Sequence, residues 1–224
     1  MSGVGQVQGA TPCTSKLDGI LRSLEGRAPS QISVHEGPCC RAAREWFLAT
    51  ARSAFSLWGP EPAWIGRRWS WGPTSWPLHW CEVVERRELD CGALAELAAL
   101  AWSCTGANVW RVQLVEEAGQ EWIEEWQTRW QAAATAPEWI WGERFYHEVV
   151  GIAAADSSLR LWDPSAGGWR AEPLESPTRR ILAIRMLRLS GPGFSPQPGL
   201  SWRGIEVPVG RWSVVALGTS CAGR

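Results

Sequence analysis

Across 224 residues the chain has one lysine, Lys16, one asparagine, Asn108, one tyrosine, Tyr146, and three histidines, His35, His79 and His147. Any chemistry that needs an imidazole base therefore has three places to find one. There is no Cys-x-x-Cys pair to begin a structural zinc site. The alternating Asp and Asn pattern of a calcium loop is missing too, so neither metal nor other cofactor is expected. No apolar run approaches the about 20 residues that span a bilayer. The first residues, MSGVGQVQGATPCTS, lack the charged-then-apolar form of a secretory signal. Lysine and arginine total 22 against 23 aspartates and glutamates, a net charge of −1. That balance gives no basic surface for nucleic acid or membrane. The seven cysteines are odd in number and irregularly spaced, unlike a disulfide framework, and imply a reducing compartment. The expectation is a soluble, cytoplasmic protein.

Tryptophan is abundant, at 18 residues against four phenylalanines. Arginine likewise replaces lysine almost completely, the pattern of a GC-rich gene in which tryptophan fills part of the aromatic quota. Six tryptophans, at 58, 64, 69, 71, 76 and 80, crowd one proline-rich segment. They form either an aromatic wall for a peptide or planar substrate, or the fastening of a long loop to the core.

The clearest helix is DCGALAELAALAWSCTG, from Asp90 to Gly106. Asp90 is a good N-cap, Leu94, Leu97, Ala98, Ala101 and Trp102 recur on one face, and Gly106 is placed to end it. Cys91 then occupies the first turn, where the helix field favours negative charge and is expected to push the thiol toward thiolate. The run RFYHEVVGI carries His147 on an alternating strand, and the next strand-like run, LRLWD, ends in Asp163. Cysteine, histidine and carboxylate together are what nucleophilic acyl transfer requires. His79, in a proline-bounded loop, is the alternative base. Glu148 falls on the strand face opposite His147 and is not expected to be catalytic.

These residues resemble the transglutaminase-like superfamily of papain-like thiol enzymes. The likeness lies in Asp90-Cys91-Gly92, then His147-Glu148-Val149-Val150-Gly151-Ile152, then Leu161-Trp162-Asp163-Pro164-Ser165, and covers about Leu89 to Trp169. It departs from the family at Val149, where an aromatic is usual, and at Gly92. The resemblance implies an α+β fold with a papain/transglutaminase-like core, N-terminal helices, and the nucleophile-bearing helix packed on an antiparallel sheet. It implies a catalytic triad of Cys91, His147 and Asp163. An upstream tryptophan, Trp76 or Trp80, then assists the Cys91 backbone N–H in an oxyanion hole. An arylamine acetyltransferase uses the same three residue types, but its Arg-Gly-Gly run is missing here.

Read in order, residues 1–15 are too poor in apolar groups to pack and are expected to be disordered, and 16–224 to form one domain with its core at 89–169. Residues 16–27 suggest a short helix with Leu17, Ile20, Leu21 and Leu24 on one face, and 40–57 a stronger one that packs against the Cys91 helix. Cys39, Cys40 and His35 make at most half a metal site. Residues 110–116 alternate as a half-buried strand, with Arg111 and Gln113 on the outer face. Trp122, Trp126 and Trp130 form a helical stripe that reads as core or interface and stops before Pro137. Strands follow at 144–153 and 159–163, joined by the Asp156-Ser157-Ser158 turn, then at Trp169 and 179–189, with a closing hairpin around Pro208 and Gly210.

The function expected is acyl transfer from a peptide, amide or thioester through a thioester on Cys91, to water or to an amine. A noncatalytic, tryptophan-rich ligand- or peptide-binding module on the same scaffold is the alternative. Neither reading fixes an oligomeric state.

Overall fold

The structure, a computed structural model, describes residues 12–25, 32–33, 37–74, 78–132, 139–170, 179–187 and 200–215. His35, Trp76 and Pro137, and the side chain of Trp130, lie outside them. Backbone contacts divide the chain into two compact units, Met1–Ala28 with Leu217–Arg224, and Pro29–Ala216. The described part of the first is helix α1 (Pro12–Glu25), which begins inside the stretch expected to lack structure. Leu17, Ile20, Leu21 and Leu24 share one of its faces.

The second unit runs β1 (Ile32–Ser33), α2 (Pro38–Trp58), α3 (Trp64–Arg68), β2 (Ser70–Trp71), β3 (Leu78–His79), α4 (Trp80–Glu85), β4 (Glu88–Leu89) and α5 (Cys91–Ser103). It continues with β5 (Val109–Ala118), α6 (Gln120–Ala132), β6 (Ile140–Trp141), β7 (Arg144–Ala153), β8 (Leu159–Asp163), β9 (Gly168–Trp169) and β10 (Arg179–Leu187). Three short strands close it, β11 (Ser201–Trp202), β12 (Ile205–Glu206) and β13 (Ser213–Val214). The fold is α+β. Its main sheet is antiparallel in the order β13-β10-β5-β7-β8-β9, with β6 added to the start of β7.

Helix α5 starts where the sequence places it. The Asp90 carboxylate accepts from the Ala93 backbone N–H at 2.8 Å, and the Thr74 hydroxyl donates to the other Asp90 oxygen at 2.8 Å. The helix ends in a turn at Gly106, whose φ of 79° is the left-handed conformation glycine adopts most readily. Leu94, Leu97, Ala98, Ala101 and Trp102 pack on Val109 and Val150 of the sheet and on Phe47 of α2. The opposite sheet face carries Trp110, Val112, Leu114, Val149, Leu159 and Leu161, covered by Leu200, Trp202 and Val207.

Strand β5 is therefore buried on both faces, not one. Arg111 and Gln113 do not face water; they lie under α5, where buried partners satisfy them. Two further features differ from the sequence reading. Cys40 and Cys81 form a disulfide between α2 and α4 where free thiols were expected, which also removes Cys40 from any metal set. The closing hairpin turns at Arg203-Gly204, between β11 and β12, while β13 pairs with β10. The tryptophan-rich segment holds short elements, and its described tryptophans serve mostly as fastening. Trp69 donates its indole N–H to the Val83 carbonyl at 2.8 Å, and Trp64, Trp69 and Trp80 surround Phe47 with ring centroids 5.5, 6.2 and 5.4 Å away. Trp80 is a core residue, only 1% exposed, packed on Phe47.

Gly151 shows how tightly the layers close. A Cβ placed there would lie 2.7 Å from Val112 and 2.8 Å from Leu159, both core side chains of the second face. Gly151→Ala is expected to lower stability by about 1–3 kcal/mol through overpacking. Urea unfolding measures it, and a change within about 0.5 kcal/mol, as at unconstrained surface sites, would show that the two side chains yield freely.

Candidate functional site

Strand β7 pairs with β5 along its length, but its other edge is shared. β6 covers it as far as Phe145, and β8 takes over at Val150. Between them no strand among the described residues covers 146–149, and the backbone donors there need other partners. The Tyr146 N–H donates to the Trp139 carbonyl at 2.9 Å. Two residues on, where the amide points the same way, the Glu148 amide faces the sulfur of Cys91 and draws its thiol pKa down. The first turn of α5 thus meets β7 at the gap, one residue from His147.

His147 is 1% exposed, and its Nε2 lies 2.9 Å from Oδ2 of the equally buried Asp163. Asp163 closes β8, and its second oxygen accepts from the Ser165 backbone N–H at 3.0 Å. Burial opposes ionisation of this carboxyl, but His147, Arg179 and Arg170 outweigh it and hold Asp163 well below the usual carboxylate range. An ionised acceptor needs a donor, which places the imidazole proton on Nε2. Nδ1, left without a hydrogen-bond partner among the described residues, is then the basic nitrogen. No hydrogen bond joins it to Cys91 in this state.

Cys91 is half-buried, and its thiol is pushed up rather than down. Burial is the main cause, followed by the carboxylates of Asp90 and Glu148, with Asp163 adding to them; the Glu148 amide offsets only part. This reverses the expectation of a thiolate. The helix field exists, but desolvation and three carboxylates outweigh a half-charge at the helix end. The resting site holds a thiol.

Two charged networks flank these residues, on opposite faces of the sheet. Under α5, the Glu148 carboxylate pairs with Arg111 and accepts from Tyr146, while Gln113 donates to it at 3.1 Å. Arg111 also reaches Glu96 of α5 at 3.4 Å. On the His147 face, the wholly buried Glu116 accepts from Arg170 at 2.5 Å and Arg179 at 2.6 Å. Burial opposes its charge, but the two arginines hold it below the ordinary carboxylate range. Glu148 thus faces away from His147, as strand alternation requires. Sequence reasoning missed Glu116, Arg170 and Arg179. The one signal was a pair of glutamates, Glu116 and Glu117, inside the strand run LVEEA.

The tryptophan stripe of α6 closes the histidine side. Trp126 stacks between Trp71 and Trp122, with centroids 4.1 and 4.3 Å away, and turns its edge toward the His147 ring at 6.5 Å. Both faces of Trp126 are covered by tryptophan, so this ring shields the histidine and has no face free for a ligand. His79, the alternative base, stands at the N-cap of α4, where Glu82 accepts from its backbone N–H at 2.8 Å. Cys104 is half-buried beyond the far end of α5, and Cys39 is exposed on α2. Among the described residues no group of histidine, cysteine and carboxylate side chains is arranged to hold a metal ion, and no helix is long and apolar enough to cross a membrane. Comparison with protein-family models, with curated proteins and with solved structures returns no match to this chain.

Proposed function

We propose that the chain is a thiol acyl-transfer enzyme of transglutaminase-like, papain-like design, with Cys91 as nucleophile, His147 as proton shuttle and Asp163 as its orienting acid. One observation carries the reading: a buried His147–Asp163 pair with Nδ1 unpartnered, one residue from the backbone amide that faces the Cys91 sulfur. In the first step the Cys91 proton passes to Nδ1 as sulfur attacks a peptide, amide or thioester carbonyl. The Cys91 backbone N–H, in the first turn of α5, is the natural donor to the developing oxyanion. His147 returns the proton to the leaving amine or thiol as its bond to carbon breaks, and a thioester remains on Cys91. Water or an amine then attacks that thioester, giving up a proton to His147, and sulfur leaves to recover it.

The raised thiol favours one other reading, a noncatalytic peptide- or ligand-binding module on the same scaffold, for which a reactive sulfur is unnecessary. Intact-mass spectrometry after incubation with peptide esters and small thioesters separates the two. An acyl adduct on Cys91, absent from Cys91→Ala, is the expected result. A library that leaves Cys91 unmodified, or labels the exposed Cys39 in preference, would favour the binding module.

A further inference from the structure

We propose that Arg170 is a positioning residue for the His147–Asp163 pair: tethered to the buried Glu116, it fixes the Asp163 carboxylate in the orientation that keeps the histidine proton on Nε2. The inference deepens the acyl-transfer reading and rests on it for its catalytic meaning, though its structural claim stands alone.

A carboxylate on a short side chain rotates unless both oxygens are held. In Asp163 one oxygen is fixed by the Ser165 amide, and the other takes His147 Nε2 at 2.9 Å and Arg170 Nη1 at 3.3 Å. Arg170 is itself anchored at both ends. Its backbone N–H donates to the Leu161 carbonyl at 2.8 Å, two residues before Asp163 on β8. Its other guanidinium nitrogen, Nη2, donates to Glu116 Oε1 at 2.5 Å. Glu116 cannot drift, because it is fully buried in β5 and its second oxygen accepts from Arg179 at 2.6 Å. Arg179 is braced in turn over the rings of Trp122 and Phe145, 5.0 and 5.3 Å from their centroids.

The planar fork of an arginine can span two carboxylates in this way; a lysine cannot. The charges also balance. Glu116 and Asp163 face Arg170 and Arg179, two carboxylates against two guanidiniums, and the His147 ring completes the group. Cys91 approaches from α5, and Glu148 lies on the other sheet face with Arg111 as its counter-ion.

Long-range proton–nitrogen NMR spectra of protein labelled with ¹⁵N-histidine, recorded near neutral pH, show which ring nitrogen carries the proton. His147→Gln assigns the signal among the three histidines. The native protein is expected to hold the Nε2–H tautomer of His147. Arg170→Met is expected to shift the tautomer ratio toward Nδ1–H by roughly tenfold or more, the scale of one charge-assisted hydrogen bond, with Arg170→Lys restoring only part. An unchanged Nε2–H signal in Arg170→Met would overturn the proposal. Should Arg170→Met fail to fold, Glu116→Gln removes the tether's charge at constant shape: a shifted ratio supports the inference, and an unchanged one refutes it. A tautomer shift without any Cys91 acylation in the native protein would count against acyl transfer and leave the positioning role standing.

Discussion

Arg111→Met is expected to reduce the free energy of unfolding by about 3–5 kcal/mol, the usual cost of leaving a buried charge without its partner. Arg111 and Glu148 are 2% and 1% exposed, so water cannot replace what the substitution removes. The loss is not confined to one pair, because Arg111 also joins Glu96, whose carboxylate accepts from the Ile32 backbone N–H at 2.9 Å. Urea unfolding of Arg111→Met, Glu148→Gln and the double variant gives the coupling directly. Glutamine keeps an oxygen for Tyr146 but carries no charge, so the double variant is expected to be more stable than Arg111→Met alone. Strictly additive losses would show that the pair is held by surrounding packing and not by its charges.

The second large effect is chemical. His147→Ala is expected to slow acylation of Cys91 by about 10²- to 10⁴-fold, the range for removing a general base, while leaving the helix and its cap intact. The raised thiol sharpens this expectation. On the proposed acyl-transfer reading, burial and the nearby carboxylates of Asp90, Glu148 and Asp163 disfavour thiolate, so the proton is expected to leave during attack. In His147→Ala, acylation should therefore recover only at alkaline pH, where hydroxide removes the proton, climbing through a region above the about 8.5 of a free thiol. Rates measured by intact mass across a pH series test it. A variant that acylates at the native rate near neutrality would exclude His147 as the base.

Much of the architecture was legible because its local and global demands agree. The limits of β7 and β8, at Arg144–Ala153 and Leu159–Asp163, follow from alternation and turn residues, and Asp90 caps α5 as its side chain requires. What was not legible depends on partners distant in sequence. Arg111 and Gln113 look like the wet face of a strand, because alternation alone cannot distinguish water from a buried ion pair as the destination of a polar side chain. The same holds for Glu116, whose arginines lie 54 and 63 residues later. Cys40 and Cys81 are 41 residues apart, and nothing local to either marks the pairing. For Cys91, the sequence shows the helix end and hides the carboxylates that outweigh it. His147 and Asp163 were readable as a pair because a short turn brings β8 back beside β7.

The gap in the edge of β7 also makes the site intolerant of misalignment. His147 and Glu148 belong to opposite sides of the sheet, and their alternation is held by nine consecutive residue pairs with β5, from Val109↔Ile152 to Glu117↔Arg144. A slip of one residue would exchange the two sides. A slip in one direction would put the Glu148 carboxylate where Asp163 awaits an imidazole; a slip in the other would put the ring where Glu148 meets Arg111. Both errors leave like or unmatched groups in contact without water, so a chain that paired its central strands out of step would lose several kcal/mol, about the cost of an uncompensated buried charge. The charges that flank the thiol therefore also proofread the alignment of the two strands on which it depends.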